Sequence, residues 1–568
     1  MTNKIQISLD DVLNTFGKVE KREYQITCIE EILNSQDKDG DVAIELPTGM
    51  GKSFVLLPVG IAAAEAGYRT CVLCPTNLLL SQLKDRYFPR FNSKVKLVGV
   101  KGIEHYDCFI TQQKADYFTC TKEQRAECTE SGYSCDVLKY GSEIQKHDFI
   151  VTNFHKFLST PIEKKFDLLI IDDSHGFENA IDDKFQTRIN YFRIEDLYRR
   201  HERLKDKVSD LTGNFLDIFD DIINSIPPDQ LSRKVADDDI NRIAEIEKYV
   251  DTEELKALDT LDRGISYELL YFIRNCKDLA LNTFYAQKDY YNREDRREVS
   301  LISRRSRRYI ERVMNSIFAD SRVILASAFL GKVGKHAYYS TYREYDGRKL
   351  VTVPDKKPEI VKNWFNRLYI YEVTDLVSSS YDSFDEGIKL VAEMLKVTPV
   401  KSLLLFKNYR NQRRAESGLR KEVERDITFI DDSYETEQVQ ELVQKADIIM
   451  ASASSRLWEG IDIRRLRFEV IFSLPFIRPP VYMDKRKSFP YVKRKMLIRL
   501  QQGIGRLIRR PDDLGVCVVL NYSKEPTRWS RLESHINDAN FSPDIRGRII
   551  RISKKSVSKV VKQKLKEV

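Results

Sequence analysis

A glycine-rich loop contains the residues of this chain whose types and spacing most directly suggest chemistry. It follows the apolar run Val42–Leu46 and precedes an apolar helical stretch that starts at Phe54. Backbone N–H groups of such a loop point at phosphate oxygens, the helix start adds a favourable dipole, and a lysine adds a point charge. The sequence therefore predicts a phosphate-binding loop. Its residues are Pro47, Thr48, Gly49, Met50, Gly51, Lys52 and Ser53.

Two adjacent acids are the expected companions of this loop. Asp172 and Asp173 end the almost wholly apolar run Phe166–Asp172, which is typical of a central strand buried on both faces. We expect Asp172 and the Ser53 hydroxyl to hold Mg²⁺ beside a bound nucleotide, with Asp172 acting through water. We expect Asp173 to orient or deprotonate an attacking water.

The elements that must position these residues follow an α/β pattern. Short β-rich runs alternate with helical stretches over residues 1–107 and again from 366 to the end, which indicates parallel sheets covered by helices. The stretch Gly347–Pro358 is predicted to be a polar linker. Residues 180–315 have a helical pattern with one continuous apolar stripe. The stripe consists of Leu204, Val208, Leu211, Phe215, Ile218 and Ile222.

Composition excludes several classes of protein. The chain has 568 residues, of which 42% are apolar, so disordered chains and small disulfide scaffolds are excluded. Its net charge of +8 is too small to identify a partner. The beginning of the sequence has no apolar run typical of a signal peptide, and no stretch is long enough to span a membrane. We therefore expect reduced cysteines, no membrane partner, and a cytoplasmic, nucleoid-associated protein.

These elements resemble the motifs of superfamily 2 helicases, and further motifs continue the resemblance in the same order. Cys74-Pro75-Thr76-Asn77 resembles motif Ia, and Ser327-Ala328-Phe329 resembles motif III. Trp458-Glu459-Gly460-Ile461-Asp462 resembles motif V, and the segment Gln502–Arg509 fits the motif VI pattern Q-x-x-G-R-x-x-R.

The residues of motifs V and VI, together with the two insertions, narrow the resemblance to the XPD/DinG family. The resemblance implies an α/β fold with two RecA-like P-loop domains and parallel sheets, the first carrying an iron–sulfur insert and a helical arch insert. The implied parts are motor domain 1 in three pieces (1–107, 140–179 and 316–350), the iron–sulfur insert (108–139), the arch (180–315) and motor domain 2 (351–568).

The resemblance also assigns roles to residues outside the loop and the acids. Tyr24 and Gln25 lie where the family has a glutamine that reads adenine, and Gly460 and Asp462 belong to the motif V part of the ATP site. Gln502 adds to that site from motif VI. Arg506 and Arg509 would face the γ-phosphate across the cleft between the domains, as arginine fingers that link the ATP state to closure.

Four cysteines form the candidate metal site of the first insert: Cys108, Cys120, Cys128 and Cys135. The residues alone leave an iron–sulfur cluster, zinc and unliganded thiols open, because the spacing matches neither zinc knuckles nor the common ferredoxin patterns. The family resemblance implies a [4Fe-4S] cluster that fixes the fold of a wedge. Cys71 and Cys74 form a C-x-x-C on a predicted core strand, and they are interpreted as ordinary buried thiols.

The activity implied by the resemblance is that of an ATP-dependent DNA helicase, which moves 5′ to 3′ on single-stranded DNA and unwinds forked or R-loop-like substrates in DNA repair or genome defence. Two departures from the family favour an alternative, a nucleic-acid-stimulated ATPase or translocase subunit of a larger complex. Asp173 stands where the family has glutamate, and Phe329 replaces a small polar residue. RNA–DNA hybrids, RNA and protein partners remain open.

Basic residues cluster in three places. Residues 485–510 contain ten Lys or Arg and no acid, residues 546–566 contain nine and no acid, and a third concentration lies at 304–308. We expect the first and third to form parts of a groove that follows a nucleic-acid backbone. The second could equally bind a partner protein or aid solubility.

Overall fold

The computed structural model describes most of the chain between residues 5 and 567. The ranges outside the description are 36–40, 48, 103–104, 109–119, 121, 133–145, 160–164, 228–229, 231, 259, 289–298, 319, 329–349, 354–362, 377–381, 431–435, 453–462, 478–479, 481–482, 484, 521–531 and 538–541. Predictions for Thr48, Cys135, Phe329, Gly460 and Asp462 therefore lie outside the described residues.

Five parallel strands and the helices between them open the first motor domain. Their apolar residues are buried, as the almost continuous apolar runs require of strands covered on both faces. The strands are β1 (Asp41–Glu45), β2 (Thr70–Cys74), β3 (Val98–Val100), β4 (Phe149–Asn153) and β5 (Leu168–Ile171). The helices are α1 (Leu9–Asn14), α2 (Glu23–Asn34), α3 (Ser53–Glu65), α4 (Asn77–Ser81), α5 (Lys122–Glu130), α6 (Phe154–Ser159) and α7 (Phe177–Phe185).

The second insertion contains a sheet as well as helices. Its strands pair antiparallel in the order β6-β9-β8-β7, so the expectation of a purely helical arch was incomplete. These are β6 (Gln186–Asn190), β7 (Ser232–Lys234), β8 (Asn282–Lys288) and β9 (Val299–Arg305). The helices are α8 (Tyr191–His201), α9 (Lys207–Asn224), α10 (Asp237–Glu245), α11 (Thr252–Ala257) and α12 (Thr260–Cys276). The next helix, α13 (Arg307–Phe318), packs in the core of the first motor domain, so the arch ends before the predicted boundary at residue 315.

The predicted apolar stripe of the arch is buried except at its first residue. From Val208 to Ile222 its members lie in α9 and enter a core made only of arch residues. Leu204 is 68% exposed, because α9 begins at Lys207, after the Asp206 side chain caps it. The apolar pattern alone would place the start of the helix at Leu204, but the Asp206 cap starts it at Lys207.

The first sheet is completed after the arch. Within the described residues its order is β11-β1-β10-β5-β2-β4-β3, with every pair parallel. The strand β10 (Arg322–Ser327) lies between β1 and β5, whose ends carry the phosphate loop and the acids. The strand β11 (Leu350–Val353) pairs with β1, so the supposed polar linker contains a strand of the first sheet and crosses the boundary placed at residue 350.

The second motor domain repeats this architecture. Its sheet has the order β14-β15-β13-β16-β17-β12-β18 and is also parallel. The strands are β12 (Leu368–Val373), β13 (Lys401–Phe406), β14 (Ile427–Ile430), β15 (Ile448–Ser452), β16 (Leu466–Ile471), β17 (Gly515–Leu520) and β18 (Ile549–Ile552). The helices are α14 (Asp382–Val397), α15 (Tyr409–Glu422), α16 (Thr436–Lys445), α17 (Lys485–Gly505), α18 (Glu533–Ile536), α19 (Pro543–Arg546) and α20 (Lys554–Leu565).

The two motor domains meet in a shared core. One apolar cluster includes residues of the first sheet and of the helix α17. This α/β fold with two parallel sheets confirms the predicted fold class. Among the described residues, no helix has the length and apolar character needed to cross a bilayer.

Candidate active site

The phosphate loop has the backbone that its glycines predict. Gly49 and Gly51 have φ values of +88° and +83°, a region that L side chains rarely adopt. The Met50 side chain between them is buried, and Ser53 begins α3. The loop thus turns from β1 into the start of a helix, which is the arrangement that binds phosphate.

Tyr24 and Gln25 brace this loop from α2. The Tyr24 hydroxyl donates to the Met50 carbonyl oxygen at 2.7 Å, and Gln25 Nε2 donates to the same oxygen at 3.2 Å. Gln25 Oε1 is buried and accepts no hydrogen bond in the described structure. Both residues therefore lie beside the loop, as predicted, and the free amide oxygen is an acceptor that a base amino group could satisfy.

The lysine and the two acids form one buried electrostatic group. Lys52 Nζ donates to Asp173 Oδ1 at 2.8 Å, and the Asp173 backbone N–H donates to Asp172 Oδ1 at 2.9 Å. Burial and the neighbouring Asp173 charge raise the pKa of Asp172 to about 7. Burial opposes ionisation of Asp173, but Lys52, His175 and Arg506 together outweigh it and lower the pKa of Asp173. The two adjacent acids are therefore held in different electrostatic states.

The donor set at this point fits Mg²⁺. Asp172 is 2% exposed, and its backbone N–H donates to the Leu73 carbonyl, so its place at the end of β5 is fixed. Carboxylate and hydroxyl oxygens are hard ligands that suit Mg²⁺, and a buried carboxylate with a raised pKa gains most from a nearby cation. Asp172 and Ser53 are the residues that would hold the ion.

His175, two residues after Asp173, contacts residues of both motor domains. His175 Nδ1 lies 3.0 Å from Ser327 Oγ at the end of β10. His175 Nε2 lies 2.6 Å from Gln502 Nε2 on α17 of the second motor domain. All three side chains are buried, so the segment that follows the two acids meets motifs III and VI at this histidine.

The motif VI arginines approach the same group. Arg506 is 4% exposed, and its charge lowers the pKa of Asp173. The Arg509 charge opposes protonation of Lys52, although the two aspartates raise the Lys52 pKa overall. A Cβ atom at Gly49 would lie 2.4 Å from the Arg509 carbonyl oxygen, so motif VI packs directly on the phosphate loop. These contacts bring together the predicted catalytic residues that the structure describes.

A cavity of about 850 Å³ opens beside the loop and is large enough for a nucleoside. Tyr24, Gly49 and Arg509 line it, as the predictions require. Trp364, Arg510 and Asp512 also line it, and sequence reasoning missed them. The pair Trp364-Phe365 just before β12 was the available signal, because apolar aromatic residues are unexpected next to a polar linker.

Motif Ia ends in a polar network that was not predicted in full. The Thr76 side chain caps α4 by accepting from the Leu79 backbone N–H. Asn77 contacts His105 at 2.6 Å and accepts from Asn153 at 2.7 Å. The network lies at the carboxyl ends of β2 and β4, where open α/β sheets bind ligands.

Several members of the basic clusters are buried in ion pairs and so do not line an open groove. Arg494 and Lys495 of the first cluster are 6% and 7% exposed and contact Glu178. Arg304 of the third cluster is also buried and lies 3.2 Å from Asp182. The expectation that these clusters line a groove for a nucleic-acid backbone is therefore wrong for these three residues, because each packs against a carboxylate partner.

Three of the four candidate cluster ligands fall within the described residues. Cys120 and Cys128 are buried, whereas Cys108 is partly exposed. Nowhere in the described structure do three or more His, Cys, Asp or Glu side chains form a group that could hold a metal. These three thiols thus do not by themselves make a metal site. Cys71 and Cys74 are buried, and burial raises the pKa of both, as expected of ordinary core thiols.

Comparisons with known proteins agree with this geometry. Residues 18–204 match the family model of the type III restriction enzyme, res subunit, and residues 391–537 match that of the helicase C-terminal domain. A stretch of 94 residues is 34% identical to the ATP-dependent DNA helicase YoaA of Escherichia coli (strain K12). This match covers 14% of the chain and 15% of the length of that relative.

Solved structures of XPD proteins share the fold. One XPD helicase has a TM-score of 0.61 at 14% identity, covering 94% of this chain and 100% of that chain. Xpd4 of S. tokodaii has a TM-score of 0.54 at 13% identity, with coverage of 94% and 100%. The fold, the two family matches and the converging motifs together support an XPD/DinG-like helicase of superfamily 2.

Proposed function

We propose that this protein is an ATP-dependent DNA helicase that moves 5′ to 3′ along single-stranded DNA. The observation that carries the proposal is the meeting of Lys52, Asp173, Gln502 and Arg506 at one buried site between two RecA-like domains. The likeness to a relative described as an ATP-dependent DNA helicase supports DNA as the track. The 5′ to 3′ direction rests on family resemblance.

The residues imply a cycle of closure and opening. ATP would enter the cavity beside Tyr24 and Trp364, and its phosphates would take the Lys52 ammonium from Asp173. Mg²⁺ held by Ser53 and Asp172 would neutralise charge on the phosphates. Asp173, released from Lys52, would then orient the attacking water, and Arg506 and Arg509 would stabilise the charge that develops.

Hydrolysis weakens this bridge between the domains. Because His175 contacts Ser327 on one side and Gln502 on the other, loss of the γ-phosphate would be transmitted to both sheets. Alternating grip on the DNA backbone would then advance the strand. Forked DNA and R-loop-like structures are the proposed substrates for unwinding.

A direct test combines turnover with strand displacement. ATPase activity stimulated by single-stranded DNA should vanish in Lys52→Ala, because the ammonium that now contacts Asp173 would bind the phosphates in the ATP complex. Duplexes with a 5′ tail should be unwound and those with a 3′ tail should not. Stimulated turnover that survives Lys52→Ala would refute the site, whereas unwinding of 3′-tailed DNA would refute the direction alone.

A second candidate is an ATPase or translocase subunit that unwinds little by itself. The observation that favours it is Asp173, whose shorter side chain pairs with Lys52 from a left-handed backbone conformation. ATP turnover without strand displacement, on every tailed substrate, would support this second function. RNA stimulation measured in parallel separates a DNA motor from an RNA motor.

We also propose that Cys108, Cys120, Cys128 and Cys135 hold a [4Fe-4S] cluster. The burial of Cys120 and Cys128 supports this, because thiolates that hold a cluster are withdrawn from water. The purified protein should be brown and contain iron and acid-labile sulfide, and Cys128→Ser should lower both. Colourless, active protein that contains zinc would refute the cluster.

A further inference from the structure

An ion-pair group joins the helix α7 of the first motor domain to the helix α17 of the second. Arg494 Nη2 on α17 lies 3.1 Å from Glu178 Oε1 and 3.2 Å from Oε2 on α7. Lys495 Nζ lies 2.5 Å from Glu178 Oε2 and donates to Asn179 Oδ1 at 3.1 Å. The side chains of the three charged residues are between 7% and 14% exposed.

This group is buried by the meeting of the two domains. Burial disfavours a charged carboxylate, but Lys495 and Arg494 outweigh it and lower the pKa of Glu178. When the domains separate, all three charges return to water. When the domains meet, a buried charge without an opposite charge would be strongly disfavoured, so Glu178 and the two cations stabilise each other only together. The group is therefore specific to the arrangement in which α7 and α17 touch.

The ion-pair group lies on the same two helices as residues next to the predicted catalytic ones. The helix α7 begins two residues after His175, and α17 ends at Gly505, directly before Arg506. Gln502 contacts His175 at 2.6 Å and lies about 10 Å along the helix axis from Lys495. Two contacts separated by this length fix both the rotation and the slide of α17 relative to α7.

We propose that Glu178, Arg494 and Lys495 form an interdomain clasp that positions α17 so that the motif VI arginines face the nucleotide. The three are positioning residues and act through Gln502, Arg506 and Arg509. This inference deepens the proposed function and rests on it. It also gives the basic cluster at 485–510 a role other than binding nucleic acid.

A double-mutant cycle tests the clasp. The variants are Glu178→Gln, Arg494→Gln and the double variant, with ATP turnover measured on saturating single-stranded DNA. Each single change should lower kcat by about 10²-fold, since a displacement of about 1 Å costs roughly that much. The double variant should lose no more than Glu178→Gln alone, because that single change already removes the carboxylate from both Arg494 and Lys495.

The cycle separates positioning from local folding. Glu178 and Arg494 lie in different domains, so two independent structural defects would multiply to a loss of about 10⁴-fold. That result would overturn the clasp, as would single variants with kcat within twofold of the unmodified protein. A matched control is Glu422→Gln, which breaks the exposed pair with Lys396 at 2.8 Å and should leave kcat unchanged.

Two further measurements keep the outcome decisive. If thermal melting shows that Glu178→Gln does not fold, the charge-reversed pair Glu178→Lys with Lys495→Glu replaces it, and recovery of kcat over Glu178→Lys alone supports the clasp. A folded reversed pair without recovery overturns it. Lys52→Ala is measured in parallel as the background rate. If the unmodified protein shows no DNA-stimulated turnover above this background, the proposed function is refuted. If the unmodified protein turns over normally and Glu178→Gln turns over equally fast, only the clasp is refuted.

Discussion

At the scale of single residues, the acid pair decides what the active site can do. Asp172 and Asp173 are neighbours in sequence, but burial raises the pKa of Asp172 while the Lys52 contact lowers that of Asp173. Asp173 also has φ +49°, which is uncommon for a residue other than glycine. Its short side chain thus reaches Lys52 from an unusual backbone conformation.

Lengthening this side chain should speed turnover. Asp173→Glu adds one C–C bond, or roughly 1.5 Å of reach toward a water at the γ-phosphate. We expect kcat for DNA-stimulated ATP hydrolysis to rise by about tenfold, and Asp173→Asn to lower it by at least about 10²-fold. Steady-state ATPase assays measure both. A slower Asp173→Glu enzyme would mean that the left-handed backbone already compensates for the shorter side chain.

A second residue-scale prediction concerns Glu469, a fully buried acid on β16 of the second motor domain. Neither carboxyl oxygen accepts a hydrogen bond in the described structure. Burial raises the pKa of Glu469 to about 8, although Arg506 opposes the shift, and the Cys517 thiol lies on the neighbouring strand. The folded protein therefore favours the protonated acid, whereas the unfolded chain ionises near its ordinary, lower pKa.

Stability should consequently fall as the pH rises. Between the ordinary pKa of glutamate and about 8, the folded state binds a proton that the unfolded state has lost, so the free energy of unfolding falls by about 1.4 kcal/mol per pH unit. Glu469→Gln should remove this part of the slope, which thermal melting between pH 5 and about 8 would measure. An identical slope in both proteins would show that the folded protein keeps Glu469 ionised.

At the scale of elements, the phosphate loop is shaped as much by the second domain as by its own sequence. Its glycines were predicted from the pattern, and their positive φ values agree. The close approach of the Arg509 backbone to Gly49 was not predictable, because it depends on how two domains pack. Elsewhere, a cap excluded Leu204 from α9, and pairing with β1 made a strand of a supposed linker.

Gly49→Ala should therefore prevent the two motor domains from closing on each other at the phosphate loop. A methyl group there would lie 2.4 Å from the Arg509 carbonyl oxygen, and φ +88° would strain the new residue. We expect at least about a 10²-fold loss of ATP turnover, with binding of single-stranded DNA retained. Fluorescence anisotropy of labelled DNA checks the second point. Gly67→Ala, also at positive φ but in open space, controls for backbone strain.

At the scale of the whole molecule, the arch is a separate unit attached to a motor. Its apolar core contains only arch residues, whereas one core cluster includes both motor domains. Its first and last strands pair with each other, and Gln186 lies opposite Arg304. The chain thus enters and leaves the arch at neighbouring points, which is typical of an inserted domain.

The arch should accordingly be removable. Replacing residues 187–303 with a short Gly-Ser linker should leave a folded motor whose DNA-stimulated ATPase stays within about tenfold of the intact protein. Strand displacement on forked DNA measures what the arch contributes to unwinding. Lys52→Ala on the shortened chain gives the background rate. A shortened chain that aggregates would show that the motor needs the arch to fold.

The sequence by itself determined the chemistry of the site and the order of its parts. Three short patterns carry this information: a glycine loop after a strand, an acid pair after an apolar strand, and Q-x-x-G-R-x-x-R. Each is recognisable in the sequence because its residues are close together in the chain, and their spacing within one strand, loop or helix sets where the side chains lie. The type and order of the motifs therefore predicted the fold class, which the structure confirms, and named the residues of the proposed nucleotide site.

Tertiary structure alone decided the partners of the charges. Arg494 was predicted to line a groove for a nucleic-acid backbone, but it contacts Glu178, which lies 316 residues away in the sequence. Gln502 meets His175 across the same interface. Such pairs form where the surfaces of two domains meet and exclude water. The sequence near each residue does not show which residue of the other domain it will contact.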